Sequence, residues 1–501
     1  MNNVSPLERS FSKLNKVFSA YALPFFTCIA LGLAAYFFVF TNKLLNLDEI
    51  SGLFGKGESI SSGRWALWLS GFIFPDVSMP WINGILSLLM LAVSSCIIIR
   101  VFEIRNTMLR VLLCALLTVF PSQILTFTYI FTCAPYALSL LMGVASVYFT
   151  LRGGRWYFAL GALMLAFSLG IYQAYISVAA ALYVVYIIKL IIDGAQSEKK
   201  IVRQGLACIG ALAAGLVLYF VINALFMLIS GTEYNSYADS SMNKDIISLL
   251  GGVRVAYTAF AGYFIKGYYH LCATGFSQIL HIVCAIIVGI ELVIFIFKSS
   301  KGKAALLLLC LVLLPLAVNC LYVASSLRHT LMLYSFTAVY VLSAVCAEKL
   351  MGGKRLIMKD ILSVSMALIV CCNLVYANKL YLKMKLEYES AYGFYQGLVS
   401  AIKTAEGFDS ETMVVITGDE TDYVHHTDEI DTSDLVGIME GLINVYSRAD
   451  FITYYIGFTP PPVNWDNWAE AGGNELIEKM PQYPYEGSIQ KTGDYMIVKL
   501  G

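Results

Sequence analysis

Two acidic residues, Asp48 and Glu49, stand side by side in the segment LLNLDEISGLF, a few residues past the long uncharged run 18–40. A carboxylate at the edge of a membrane is costly to desolvate, so it usually has a function. Such a group can act as a general base that takes a proton from a hydroxyl. The alternative is that the pair only ends a span at the water boundary. Chemistry is favoured because Arg64 follows in the same connection, in SGRW.

Cations that could bind a phosphate group stand at the edges of other apolar runs. Arg328 lies in SSLRH, and Arg254 and Lys266 lie in an apolar and aromatic stretch. Arginine matches phosphate oxygens in a bidentate manner, which lysine does not. Each of these cations could instead reach lipid headgroups. Headgroup contact explains Arg328 less well, because this arginine lies in a connection that the distribution of Lys and Arg places on the outer side, where basic residues are otherwise few.

Neutral polar side chains in turns between apolar runs must find a hydrogen-bond partner. Gln123 in FPSQ, Tyr172 and Gln173 in YQA, and His329 beside Arg328 are of this kind. Each is a candidate for contact with a bound ligand, and the alternative is a local contact at a helix end.

The composition shows what must position these residues. The chain has 58% hydrophobic and 14% charged residues, which is too apolar for a soluble globule. The twelve cysteines all lie between Cys28 and Cys372, mostly in apolar runs, so they indicate packing and not a disulfide framework. The chain is therefore predicted to be a polytopic membrane protein.

Apolar runs long enough to cross a bilayer predict eleven spans. They are 18–40, 82–100, 110–128, 134–150, 156–171, 173–191, 204–229, 278–297, 304–323, 330–347 and 358–376. Every second connection is rich in Lys and Arg and is therefore predicted to be cytoplasmic. This places the N-terminus inside, and the odd number of spans places the C-terminus outside.

Two further segments are predicted to lie in the membrane interface. The stretch 64–75 is aromatic but too short to cross, so it is predicted to be a short helix with Trp65 and Trp68 at headgroup depth. The stretch 246–270 could be a twelfth span. That would place two basic clusters outside, so an interfacial helix is preferred.

The last part of the chain differs in charge. Residues 1–376 carry 26 basic and 14 acidic residues, whereas 377–501 carry 8 and 20. The segments 413–418, 451–458 and 495–500 are predicted strands, and 434–447 has helical periodicity. The predicted domains are thus a membrane part, 1–376, and a small extracytoplasmic α/β domain, 377–501.

Several function classes find no support. The chain has no GxxxxGK[ST] and no HExxH motif, so ATP-driven transport and zinc protease chemistry are not indicated. No cytoplasmic connection is long enough for a nucleotide-sugar-binding domain, and nothing points to a nucleic-acid partner.

An acidic pair in the first outer connection, about eleven spans and an outer C-terminal domain resemble the GT-C class of membrane glycosyltransferases. Within that class, NLDE, SGRW, FPSQ and YQA resemble the bacterial O-antigen-modifying glucosyltransferases of the Gtr type. The resemblance covers roughly residues 18 to 376 and implies a multi-pass protein of the bacterial cytoplasmic membrane. It implies transfer of a hexose, expected to be glucose, from an undecaprenyl-phosphate or similar polyprenyl-phosphate donor to a surface glycan.

On this resemblance, we expect Asp48 to be the general base and Glu49 to orient the acceptor or a metal. Mg²⁺ or Mn²⁺ could take part, with the acidic pair as part of its oxygen ligands. Donor-phosphate contacts are expected from Arg64, Arg328, Arg254 and Lys266, and sugar or acceptor contacts from Tyr172, Gln173, His329 and Gln123. A transporter of lipid-linked oligosaccharides and an O-antigen polymerase are the alternatives.

Overall fold

The computed structural model describes the chain except for residues 1–4, 56–58, 75–76, 237–239, 241, 267–274, 328, 350–353, 419–429, 431–440, 466–467 and 469–472. The described α-helices are α1 (Pro6–Thr41), α2 (Leu47–Ser51), α3 (Trp65–Ser70), α4 (Pro80–Phe102), α5 (Thr107–Thr118), α6 (Pro121–Thr126), α7 (Ile130–Arg152), α8 (Arg155–Ile171), α9 (Ile176–Asp193), α10 (Glu198–Ser230), α11 (Ile246–Ile265), α12 (Gly275–Lys298), α13 (Lys301–Val318), α14 (Leu321–Ala324), α15 (Thr337–Lys349), α16 (Lys354–Thr404), α17 (Arg448–Phe451) and α18 (Gly473–Lys479). Short 3₁₀ helices cover Gly52–Phe54, Ile60–Ser62, Gln173–Tyr175 and Thr330–Phe336, and a π-helix covers Ile452–Ile456. The strands are β1 (Met413–Thr417), β2 (Ile489–Thr492) and β3 (Tyr495–Lys499).

The chain divides into two compact units. The first comprises residues 1–42 and 56–378, and the second comprises 43–55 and 379–501. The division drawn from the sequence, 1–376 and 377–501, differs in the segment 43–55. That segment carries the acidic pair, so the structure groups the pair with the C-terminal part of the chain.

The helices of the chain fit a polytopic helical bundle, as predicted. Ten described helices are long and apolar enough to cross a membrane. Nine of them match predicted spans, and the tenth is α11. The predicted spans 110–128 and 156–171 correspond to shorter helices, α5 and α8. The run 110–128 is broken because Pro121 disfavours helical backbone at Phe120 and starts a new helix, α6.

One end of the first unit, which we call the basic end, is held by ion pairs between helix termini. The Lys189 ammonium lies 2.9 Å from carboxylate oxygens of both Glu103 and Asp193, and Lys349 lies 2.8 Å from Asp193. Glu348 accepts hydrogen bonds from the backbone N–H groups of residues 105 and 106. A cavity of about 700 Å³ opens among these residues. The connections around residues 103–106, 189–193 and 348–349, all predicted to be cytoplasmic, therefore lie together.

Helix α11 runs from the residues that follow α13 to the first turn of α12, at the end of the first unit opposite the basic end. Just before its start, Asn243 donates hydrogen bonds to the carbonyls of Val323 and Ala324, which follow α13. At its end, the Gln278 amide in the first turn of α12 donates to the Ile265 carbonyl. Because α12 and α13 are joined by two residues and run antiparallel, both contacts lie at the same end of that hairpin. A helix of about 30 Å with both ends there supports the predicted interfacial position.

The second unit contains a three-stranded sheet of order β1-β3-β2. β1 pairs with β3 in parallel, and β2 and β3 form an antiparallel hairpin. Val414, Met496 and Val498 pack on one face with the last turns of α16, whereas Val415 and Ile497 face Trp468 on the other. The predicted strands at 413–418 and 495–500 are confirmed.

The predicted strand at 451–458 is wrong, because this segment is helical. Phe451 ends α17, and the π-helix Ile452–Ile456 continues directly from it. Phe451 and Ile452 are buried against Tyr395 in the core of the second unit, and Tyr455 packs beside them. The predicted helix 434–447 lies partly outside the described residues, and its described end, 441–447, forms bends and turns.

Candidate functional site

In the first unit, Arg64 is held against two tyrosine rings. Its guanidinium donates a hydrogen bond to the Tyr136 hydroxyl at 3.1 Å and lies 5.7 Å from the centre of the Tyr172 ring. The two rings are stacked, with centroids 4.3 Å apart and an interplanar angle of 13°. An arginine fixed on aromatic faces keeps its planar fork ready for phosphate oxygens.

Behind this pair, the aromatic contacts continue to Gln123. The Tyr175 ring meets the Tyr172 ring edge-on at 5.3 Å. The buried side chain of Gln123 lies beside Tyr175. The structure therefore brings the predicted residues Arg64, Tyr172 and Gln123 into one cluster.

The turn that presents Arg64 is fixed by polar contacts from other helices. The Gln173 amide donates to the carbonyl of Ser62 at 3.1 Å, and the Tyr219 hydroxyl donates to the carbonyl of Gly63 at 3.1 Å. Gly63 has φ 74°, and a Cβ there would lie 2.8 Å from the Tyr219 hydroxyl. Glycine is needed at this position both for the left-handed backbone and for the close approach. Gln173 is thus placed to position the Arg64 turn.

Helix α3 anchors the other side of the turn. Trp65 is buried and packs on Phe167 and Phe226, with ring centroids 5.1 and 5.5 Å away. Trp68 is 47% exposed. A helix was expected here and is present. The burial of Trp65 shows that this ring serves as an anchor within the bundle, whereas Trp68 keeps an exposed surface.

The remaining predicted residues of the first unit are more dispersed. Arg254 and Lys266 are exposed on α11 and at its end. His329 is partly buried and precedes the 3₁₀ helix Thr330–Phe336. Arg328 lies outside the described residues.

In the second unit, the acidic pair lies on the short helix α2. The Asn46 side chain caps this helix by accepting a hydrogen bond from the Glu49 N–H at 2.7 Å. Leu45, Leu47 and Ile50 are buried in the core that also contains Tyr395. Burying three such side chains stabilises the segment by roughly 1.5–3 kcal/mol each. The acidic pair is therefore carried on a firmly packed segment.

The two carboxylates have different surroundings. Glu49 is fully buried and forms an ion pair with Lys43. Burial raises the pKa of the nearby Tyr455, and the Glu49 charge raises it further. Asp48 is exposed, and its carboxylate lies 3.5 Å from the Tyr446 hydroxyl. The Asp48 charge raises the pKa of Tyr446, which keeps that phenol protonated. Asp48 can therefore meet a substrate hydroxyl, whereas Glu49 holds α2 in place.

The acidic pair does not fit a divalent metal. The Lys43 ammonium contacts the Glu49 carboxylate, so that oxygen already faces a cation. Within the described ranges, no group of three or more His, Cys, Asp or Glu side chains could hold a metal ion. Mg²⁺ and Mn²⁺ prefer several oxygen ligands together.

Sequence reasoning missed the residues that support the predicted ones. Tyr136 and Tyr219 are polar-tipped aromatics inside long apolar helices and give no distinctive signal there. Lys43 contacts Glu49 and Tyr446 contacts Asp48, but these two partners are 403 residues apart in the sequence. Glu291 is an acid inside the predicted span 278–297, and the structure buries it and pairs it with Arg355 at the start of α16.

Comparison with known protein families gives one match. The family described as Glucosyl transferase GtrII matches residues 37–347. This range includes α2 with the acidic pair and the whole cluster around Arg64, and it ends before the C-terminal part of the second unit. No curated protein matches the chain. Because the match covers more than half of the sequence, this chain belongs to the GtrII glucosyltransferase family.

Proposed function

We propose that this glycosyltransferase moves glucose from a polyprenyl-phosphate carrier to a glycan acceptor at the outer face of a bacterial cytoplasmic membrane. Asp48 is the general base. The observation that carries the proposal is the exposed Asp48 carboxylate on a packed helix inside the family match. The apolar helices supply the bilayer-embedded surface that a lipid-linked donor requires.

The proposed reaction has a defined balance of bonds and protons. Asp48 takes the proton from an acceptor hydroxyl, and the acceptor oxygen bonds to the anomeric carbon of glucose. The bond between that carbon and the phosphate oxygen breaks, and its electron pair leaves with the phosphate of the carrier. A positioned base of this kind contributes typically ~10²- to 10⁴-fold to the rate.

The departing phosphate gains charge and needs cationic stabilisation. Arg64 is the preferred residue because its guanidinium is already held on Tyr136 and Tyr172. Arg254 and Lys266, both exposed, and Arg328 and His329 are secondary candidates for the donor phosphate and the sugar. Tyr172 and Gln123 belong to the Arg64 cluster and are proposed to line the sugar site. Gln173 is proposed to act by holding the turn.

The test is transfer by the purified full chain in lipid nanodiscs, with polyprenyl-phosphate [¹⁴C]glucose as the donor and cell-envelope glycan as the acceptor. We expect Asp48→Asn to lower kcat by at least about 100-fold, because the amide cannot accept the proton. Thermal stability should be unchanged, because Asp48 is exposed.

The matched control is Glu475→Gln, which neutralises an exposed acid on α18 of the same unit. Helix α18 packs on the opposite face of the sheet from α2, so this variant should transfer at the wild-type rate. Transfer by Asp48→Asn at the wild-type rate would show that Asp48 is not the base. A wild-type protein that moves the intact lipid-linked sugar without transferring glucose would be a transporter.

A further inference from the structure

Large aromatic side chains are exposed around the Asp48 segment. Tyr446 is 70% exposed, Phe54 is 62% exposed and Tyr454 is 43% exposed. The Tyr446 hydroxyl meets Asp48, and the Phe54 and Tyr454 rings meet edge to face at 5.4 Å. The Asp48 segment and the 446–454 segment thus make two contacts, Asp48 with Tyr446 and Phe54 with Tyr454, and each contact includes an exposed aromatic ring. We call these three side chains the aromatic surface.

The backbone fixes the aromatic surface in place. Between Tyr446 and Tyr454, the buried Arg448 side chain donates hydrogen bonds to the carbonyls of Ile416 and Gly418 at the end of β1. The π-helix Ile452–Ile456 carries Tyr454 on its exposed side and turns Tyr455 into the core. A π-helical turn costs stability and is frequently found at functional sites. The rings are therefore held on a rigid support.

Single exposed apolar side chains need no explanation, but a contiguous group beside a reactive carboxylate does. An aromatic face with a polar edge suits the rings of a sugar. The apolar C–H face of a pyranose covers the aromatic ring, and the Tyr hydroxyl at its edge can accept a hydrogen bond from a sugar hydroxyl.

The negative charge of the C-terminal part of the chain favours an uncharged ligand over an anionic one. Residues 377–501 carry 20 acidic and 8 basic residues, so this unit repels anions. A neutral glycan is therefore favoured over a phosphorylated or uronic-acid-containing one.

We propose that Tyr446, Tyr454 and Phe54 bind the acceptor as a neutral glycan, by stacking on its sugar rings beside Asp48. This inference rests on the proposed function and names the acceptor class of the same site. The Tyr446 hydroxyl contacts the Asp48 carboxylate, so a sugar stacked on the Tyr446 ring would present its hydroxyls beside that carboxylate.

The first experiment measures sugar binding without any donor. The full chain in nanodiscs is titrated with neutral trisaccharides (maltotriose, chitotriose and mannotriose), and binding is followed by saturation-transfer NMR. Sorbitol, an open-chain polyol, is the probe that lacks a ring face. We expect Tyr446→Ala and Tyr454→Ala to weaken trisaccharide binding by roughly 2- to 12-fold each, the range of one aromatic stacking contact. Tyr446→Phe should retain most of the binding.

The control is Tyr485→Ala, which removes a 71% exposed tyrosine of the same unit outside the 446–454 segment and the Asp48 segment. It should bind as the wild type does. Equal binding by wild type, Tyr446→Ala and Tyr454→Ala overturns the inference, and so does a wild type that binds none of the three trisaccharides.

The second experiment separates this inference from the proposed function. Asp48→Asn should lose transfer and keep trisaccharide binding, whereas Tyr446→Ala should raise the KM for acceptor more than it lowers kcat. If the wild type transfers no glucose while the aromatic variants still lose sugar binding, the aromatic surface stands and the proposed function fails. If transfer proceeds with the same acceptor KM in every variant, the aromatic surface is not the acceptor site.

Discussion

Successive side chains on a helix point about 100° apart, and this rotation separates Asp48 from Glu49. On α2 the apolar residues Leu47 and Ile50 turn one side into the core, and Glu49 turns inward with them to meet Lys43. Asp48 faces outward. The two acids are adjacent in the sequence, but the fold exposes Asp48, the proposed base, and buries Glu49 against Lys43.

At the scale of single residues, we predict that Lys43→Met destabilises the acidic segment. The substitution leaves the Glu49 carboxylate buried without its cation, which costs about 1–3 kcal/mol after allowing for the partial exposure of Lys43. Backbone amides of residues 44–55 should therefore exchange with deuterium at least about 5-fold faster, as measured by mass spectrometry on the full chain.

The control for this variant is Lys385→Met, which removes the more exposed ion pair with Glu389 on α16 of the same unit. Exposed pairs contribute at most about 1 kcal/mol, so exchange of residues 44–55 should not change. Equal exchange in Lys43→Met and the wild type would contradict a structural role for Glu49.

A second prediction at this scale concerns Arg64. Arg64→Lys keeps the charge but loses the planar fork and its contact with the Tyr172 ring. We expect a roughly 10-fold or greater loss of kcat/KM for the lipid-linked donor. The readout is steady-state transfer at varied donor concentration.

The control is Arg155→Lys, which makes the same chemical change at the start of α8. Tyr172, the ring that Arg64 contacts, follows the opposite end of that helix. Arg155 is exposed and lies 5.5 Å from the Trp156 ring, so it also loses a cation–π contact. Its donor kcat/KM should stay at the wild-type value. An Arg64→Lys protein that behaves like Arg155→Lys would remove Arg64 from the donor site.

The site residues that the sequence could indicate share one property, which is a polar group at the edge of an apolar run. Arg64, Tyr172, Gln173 and Gln123 stand out in this way, and the structure gathers them. Tyr136, Lys43 and Tyr446 could not be found, because their roles depend on contacts between segments distant in the chain. No local pattern records such contacts.

At the scale of elements, helix positions follow from apolar runs, but two features depend on packing. The run FITYYIGF has the β-branched and aromatic composition of a strand. It is helical because Phe451 and Tyr455, four residues apart, both turn toward the α16 core. Helix α11 has the length and apolarity of a span, and only its end contacts with α12 and with the residues after α13 show where it lies.

We predict that both ends of α11 are accessible from one side of the membrane. Lys244→Cys and Lys266→Cys place thiols on exposed positions before and after the helix. A membrane-impermeant maleimide added to intact spheroplasts should label both, and the labelled sites are identified by mass spectrometry.

Lys301→Cys, at the start of α13, is the matched position at the basic end of the bundle. It should be labelled only after permeabilisation. Labelling of Lys244→Cys and Lys266→Cys from opposite sides would mean that α11 crosses the bilayer.

At the scale of the whole molecule, the excess of acid in residues 377–501 and the excess of base before it anticipated two differently built parts. The composition could not show that residues 43–55 fold with the later part. Thirteen residues carry too little charge or apolarity to reveal which core will bury them. The association depends on Leu45, Leu47 and Ile50 finding apolar partners on α16 and around Phe451.

This association also sets an order of events during biosynthesis. The segment 43–55 is made early, but its core partners begin at residue 379, more than 300 residues later. At typical rates of translation the interval is roughly 15 to 65 s. Through that time the bundle helices can enter the membrane while Asp48 sits on an unfolded strand of chain. We therefore expect the segment that carries the proposed base to stay unfolded until the residues after 379 have been made, so a shortened chain should lack the folded site.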